Sequence, residues 1–164
     1  MRPQKLMRPQ KFPPNEPPLF HTVTVDRRVA LRAWPLVQSS RPAARLEDWR
    51  AYAAALGRRV GKSAGLVAVE DERGYIHALF AWHVHRAIGR PRELRVSDVV
   101  VGNLPGRELA QSIVVAIRRV ATTTRADSVL VEIGDRQIAP DALLSDGFER
   151  LVMDCMHTNC IAPR

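Results

Sequence analysis

The sequence predicts an α/β (α+β) domain, a mixed, mostly antiparallel central sheet flanked by helices in the order β-α-α-β-β-β-α-β-α-β. Three observations carry this prediction. Two apolar runs flank the turn residues Asp71, Glu72, Arg73 and Gly74, the pattern of a β-hairpin. Farther on, Leu109, Ile113, Ala116, Ile117 and Val120 recur at helical spacing between two apolar strand-like runs, which makes one βαβ unit. The chain has 164 residues, 46% hydrophobic and 26% charged, enough for one core and too little for two ordinary domains.

Residues 1 to 18 contain six prolines and a direct repeat, MRPQK and then MRPQKF from Met7, with little that could enter a core. They read as a Pro-rich basic leader, with residues 19 to 164 forming a single domain. The repeat fits either a start at Met7 or a small tandem duplication. From Phe20 a β-rich run, His21 to Val25, predicts the first strand, and Asp26 stands where a helix N-cap belongs. The helix that follows extends to about Gln38, and Pro35 predicts a kink or an early stop near Trp34. Leu46, Trp49, Ala53 and Leu56 mark a second helix, to about Arg59.

The hairpin pairs Gly65–Glu70 with Tyr75 to about Arg86. On its second arm, alternation places Ile76, Ala78, Phe80, Trp82 and Val84 on one face and Tyr75, His77, Leu79, Ala81, His83 and His85 on the other. Gly89 to Arg92 turns into a strand from Glu93 to Val101, followed by a loop through Pro105 and Gly106 and a helix to about Thr123. Ser128–Ile133 is a strand and Ala139–Asp146 a short helix. Phe148 to about Cys160 is expected to be one long final strand. In such a strand Cys155 and Cys160 lie on opposite faces, about 16 Å apart, so both are expected to be free thiols.

The net charge of +8 is unevenly spread. Residues 1 to 60 hold 12 basic and 4 acidic side chains, and the remainder of the chain is balanced. Only Lys5, Lys11 and Lys62 are lysines, an imbalance most simply read as genomic base composition. No apolar run reaches the roughly 18 residues of a membrane span, and the first 20 residues lack a secretory core, so a cytoplasmic protein is expected. Aromatic residues make up 5% and do not interleave with a basic stripe, which argues against nucleic acid as a partner.

The element order, with the βαβ unit in the middle and LLSDGFER near the end, resembles the GNAT superfamily of acyl-CoA-dependent N-acetyltransferases over residues 20 to 160. The resemblance implies acetyl-CoA as co-substrate, lying where the fourth and fifth strands splay apart at a bulge. It implies a pyrophosphate held by amides at the start of the following helix. The family's loop pattern falls on Pro105, Gly106, Arg107, Glu108, Leu109 and Ala110, where Ala110 matches and Pro105 and Glu108 depart. The implied cofactor contacts are Gly106, Arg107, Leu109, Ala110 and the backbones of Val99, Val100 and Val101, with Arg136 at the position of a family Asn. The tyrosine that protonates the departing thiolate corresponds to Leu143, which has no proton to give. The family also closes with two strands after the short helix, where this sequence reads as one.

The resemblance implies an acidic base on the fourth strand. Asp98 in SDVVV is the first candidate and Glu93 the second, against the structural alternative of a carboxylate paired with arginine. His83 and His85 share a strand face and could line the acceptor site. With Asp98 they could form a metal site, but solvated or hydrogen-bonded histidines are the simpler reading and no metal is expected. The acceptor is expected to be a small-molecule or peptide amine, possibly acidic, because the basic front end adjoins the segment that would hold it. A catalytically inactive GNAT-fold binding or regulatory module is the competing reading. The apparently missing last strand leaves a sheet edge that a second copy could cover as a homodimer.

Overall fold

The computed structural model describes residues 19–58, 63–102, 107–132, 143, 145, 147–152 and 155–159. Their elements are β1 (Phe20–Thr24), α1 (Arg27–Ser40), α2 (Leu46–Gly57), β2 (Ala64–Asp71), β3 (Ile76–His85), β4 (Glu93–Val101), α3 (Arg107–Thr124), β5 (Ser128–Glu132), β6 (Glu149–Val152) and β7 (Cys155–Asn159). Leu143 and Ser145 are helical as well, within the predicted short helix. The strands form one sheet in the order β1-β2-β3-β4-β5-β7-β6. Neighbours are antiparallel except for the parallel pair β4–β5 that α3 connects.

Each face of the sheet buries its own core. On one face Phe80, Trp82, Leu94, Val96 and Val99 pack with Leu109, Ile113 and Ile117 of α3 and with Leu143 and Phe148. On the other, Leu66, Ala68, Leu79, Ala81 and Val100 pack with Ala30, Ala33 and Val37 of α1 and Trp49 and Ala53 of α2. A fully buried aliphatic or aromatic side chain contributes roughly 1.5–3 kcal/mol, so this double cover is what holds the sheet. Trp49 fixes α2 on α1 by donating its indole N–H to the Ala30 carbonyl at 2.7 Å.

Asp26 caps α1, its carboxylate accepting from the Val29 amide at 2.8 Å. Contrary to the expected stop near Trp34, α1 continues through Pro35 to Ser40. Pro35 removes the hydrogen bond to the Leu31 carbonyl, but both residues are exposed, so water satisfies that carbonyl while Ala33 and Val37 stay buried.

Strict alternation on β3 also fails at its start. The register with β2 shifts between Val69 and Glu70, and Ile76 joins Leu79 and Ala81 on the α1/α2 face instead of following Ala78 and Phe80. Next to this shift Glu70, only 7% exposed, is held by His21 at 2.9 Å and by Arg32.

The expected single last strand is two. β6 and β7 pair antiparallel, and β7 lies between β6 and β5. The β5 edge is therefore covered by β7, and β6 becomes the outermost strand on that side. Cys155 opens β7, while Cys160 lies outside the described residues.

Two helix ends share one geometry. The Phe148 amide donates to the Leu143 carbonyl at 3.1 Å across Gly147, whose φ is 85°, a left-handed cap that glycine adopts freely. At the end of α3 the Ala126 amide donates to the Ala121 carbonyl at 2.9 Å, but the left-handed residue is Arg125, with φ 53°. That conformation costs a residue with a Cβ roughly 1–2 kcal/mol.

A Cβ on Gly65 would lie 2.9 Å from the Trp82 ring, whereas one on Gly57 would meet nothing within 4 Å. Gly65→Ala should therefore destabilise the chain by about 1–3 kcal/mol and Gly57→Ala should not. Urea unfolding of the two variants checks this, and equal midpoints would contradict the packing described.

Candidate active site

β4 carries one more residue than its partner β3. The register is Ala78↔Val101 and Leu79↔Val100 above the irregularity and Ala81↔Ser97 and Trp82↔Val96 below it. The extra residue is accommodated at Asp98, which has φ 51°. Aspartate tolerates this left-handed backbone better than most residues with side chains. The bulge resets the alternation of β4. Leu94 and Val96 face α3 before it, Val99 faces α3 after it, and Val100 turns to the α1/α2 face.

On its other side β4 pairs with β5 only from Glu93↔Ser128 to Val96↔Val131. Beyond Val96 the β4 backbone, from Ser97 to Val101, has no β5 partner among the described residues, of which Glu132 is the last on β5. The side chains of Val99 and Val100 are buried in opposite cores, which leaves their main-chain groups on that side as the ones a ligand could meet.

α3 begins at Arg107, six residues after β4 ends. Arg107 and Glu108 are exposed, so the Glu108 carboxylate that departs from the family pattern has room to point into solvent. The Leu109 side chain is buried, leaving its amide as the group able to meet a ligand, and Ala110 is half-buried. Gly106 and Arg136 lie outside the described residues.

The Asp98 carboxylate points toward α2 and the end of α1. It accepts from the Tyr52 hydroxyl at 2.7 Å and pairs with Arg41. These three residues with Val37, Ala44, Asp48, Trp49, Leu79 and Val100 line a cavity of about 290 Å³. Burial raises the Asp98 pKa, but the bonds from Tyr52 and Arg41 outweigh it and hold the carboxyl below its ordinary value. Tyr52 is pushed well above the usual phenol range, by burial first and by its bond to Asp98 second, so it stays protonated and donates.

The other candidates do not join this cluster. Glu93 lies five residues down β4, about 16 Å away along an extended strand, and accepts from Arg95 at 2.7 Å. His83 and His85 pair across β3–β4 with Arg95 and Glu93, at that same far end. The His83 pKa is lowered, by desolvation first and then by Arg95. Asp98 is therefore not placed to complete a ligand set with these histidines, and the described residues contain no group of three His, Cys, Asp or Glu able to hold a metal.

Arg41 and Tyr52 were not singled out from the sequence. Tyr52 follows Trp49 by one helical step, so the two rings lie 6.1 Å apart, and that spacing was the available signal. Of the arginines in the first helices, Arg32 is engaged by Glu70 and Arg45 by Asp48, and only Arg41 lines the Asp98 cavity.

The chain matches no sequence-family model and no curated protein. It does match solved structures. Glucosamine-6-phosphate N-acetyltransferase from Arabidopsis thaliana superposes with a TM-score of 0.65 at 12% identity, over 82% of this chain and 95% of that one. Ribosomal-protein-S5-alanine acetyltransferase from Vibrio fischeri gives 0.66 at 10%, over 88% and 95%. A chain of the NatC complex bound to Gag peptide and CoA gives 0.64 at 9%, over 87% and 99%. The chain has the GNAT fold.

The depressed Asp98 pKa has a definite sign. A folded pKa below the unfolded value of about 3.9 adds stability above pH 4 that is lost as pH falls through the folded pKa. Tyr52→Phe and Arg41→Ala should each move the Asp98 titration, followed by carboxyl NMR, upward and bring acid unfolding to higher pH. An Asp98 titration unchanged in both variants would show that the two bonds do not form in solution.

Proposed function

We propose that the chain is an acyl-CoA-dependent N-acetyltransferase that moves an acetyl group from acetyl-CoA to an amine. The observation that carries this is the left-handed bulge at Asp98 on β4, just beyond the last described β4–β5 pair, Val96↔Val131, in a chain with the GNAT fold. The thioester would lie beside β4 beyond the bulge, where main-chain N–H groups of Val99 to Val101 can polarise its carbonyl. The pyrophosphate would rest on amides from Gly106 to Ala110, with Arg107 and, by the family resemblance, Arg136 as cations for it.

The acceptor would dock in the cavity beside Asp98. Its walls are apolar at Val37, Ala44, Trp49, Leu79 and Val100, and carry Asp48 and Asp98 against the one cation Arg41. Asp98 is paired with Arg41 and Asp48 with Arg45, so these charges cancel and the apolar walls favour a small amine with an apolar body. Asp98, kept ionised, would anchor the ammonium and pass its proton out through water. The neutral nitrogen then attacks the carbonyl carbon and the C–N bond forms, the nitrogen gives up its second proton to water, the C–S bond breaks, and the thiolate takes a proton from solvent.

Leu143 favours a second reading, a module that binds acyl-CoA without turnover. It is fully buried in the core at the position of the family's thiolate-protonating tyrosine.

Calorimetric titration of acetyl-CoA combined with a free-thiol release assay over a panel of amines tests both readings. Binding with amine-dependent thiol release supports the transferase, binding alone supports the module, and absence of binding overturns both. In the transferase, Asp98→Asn should leave acetyl-CoA affinity unchanged and lower turnover about 10²- to 10⁴-fold.

A further inference from the structure

At the end of the sheet away from the Asp98 bulge, a second cavity of about 700 Å³ opens between the C-terminal half of α3 and the strands β1 to β3. Its volume lies within the range of small-molecule sites. Arg86, Arg92, Arg119 and Arg125 line it, and no carboxylate does. Among the described residues, no acidic side chain lies within ion-pair distance of any of the four guanidinium groups. Asp127, two residues after Arg125, accepts from the Arg92 main-chain amide at 2.7 Å and does not line the cavity.

Two features show that this gathering comes at a cost to the fold. The Arg92 Nε is buried and has no hydrogen-bond acceptor, a state that disfavours a charged group unless a ligand completes it. Arg125 occupies the left-handed cap of α3, where glycine would be free of strain and where the equivalent helix end before Phe148 does use glycine. Glycine there would relieve the backbone and remove a cation from the cavity.

We propose that this cavity is a binding site for a compact phosphate-bearing small molecule, held by the guanidinium groups of Arg86, Arg92, Arg119 and Arg125 with the exposed Thr24 hydroxyl on the opposite wall. Planar guanidinium forks match phosphate oxygens in pairs, and several converging forks favour a ligand with more than one phosphate charge. The site is independent of the transferase reading, since it shares no residue with the Asp98 cavity or with Val99 to Val101.

Calorimetric titration of inorganic pyrophosphate into the full chain, at ionic strength held constant with sodium chloride, tests this. Saturable 1:1 binding is expected, weakened at least tenfold in Arg92→Gln and in Arg125→Gly, while the control Arg58→Gln binds as the parent does. Arg125→Gly should also raise the melting temperature of the ligand-free protein, an opposite sign that general loss of structure could not produce. The proposal is overturned if pyrophosphate shows no saturable binding, if full affinity survives in Arg92→Gln and Arg125→Gly, or if a short RNA duplex competes at lower concentration than pyrophosphate through the same arginines.

Discussion

The bulge at Asp98 is the constraint on which the rest of the candidate site depends. One extra residue on β4 interrupts the ladder to β3, and the last described pair with β5, Val96↔Val131, comes just before it. The same residue reverses which face the strand presents, so that Val99 and Val100 can each bury a side chain in a different core while their backbones stay available. An uninterrupted β4 would turn Asp98 into the α3 core. The ties from Asp98 to Arg41 and Tyr52 carry the strand irregularity across to the helices and give the cavity its floor. The switch of face along β4 and the pocket beside it are two results of one register change.

The two described residues other than glycine with positive φ, Asp98 and Arg125, stand at opposite poles of the domain. α3 separates them, 18 residues or about 27 Å long. Each carries a charged side chain into a concave surface. Glycine would adopt both backbones without steric strain but would bring no charge to either cavity.

Much of the fold was legible in the sequence because local pattern and tertiary role agree there. The limits of β4 follow directly from the turn at Gly89–Arg92 and the glycine after Val101, the cap at Asp26 is a local hydrogen bond, and α3 is set by its apolar stripe. The errors fall where local pattern and tertiary structure diverge. Only residues 153 and 154 separate β6 from β7, and Met-Asp lacks the glycine or asparagine that signals a tight hairpin, so the segment reads as one strand. Pro35 reads as a helix breaker because exposure of the Leu31 carbonyl depends on packing. Asp98 was legible as a candidate, but Arg41 and Tyr52 are 57 and 46 residues away from it, and no local signal joins them. Charge counting failed in a different way. Residues 61 to 164 are balanced in sum, yet folding moves their acids away from Arg86, Arg92, Arg119 and Arg125, so a neutral segment builds the most basic concavity described.

The placement of the tryptophans has a practical consequence. Trp82 lines the arginine cavity and Trp49 the Asp98 cavity, on opposite faces of the sheet, while Trp34 is half-buried on α1 and lines neither. The native chain thus has a built-in fluorophore in the wall of each cavity. Replacing Trp34 together with either Trp49 or Trp82 by phenylalanine would leave emission that reports occupancy at one pole alone, without an attached dye.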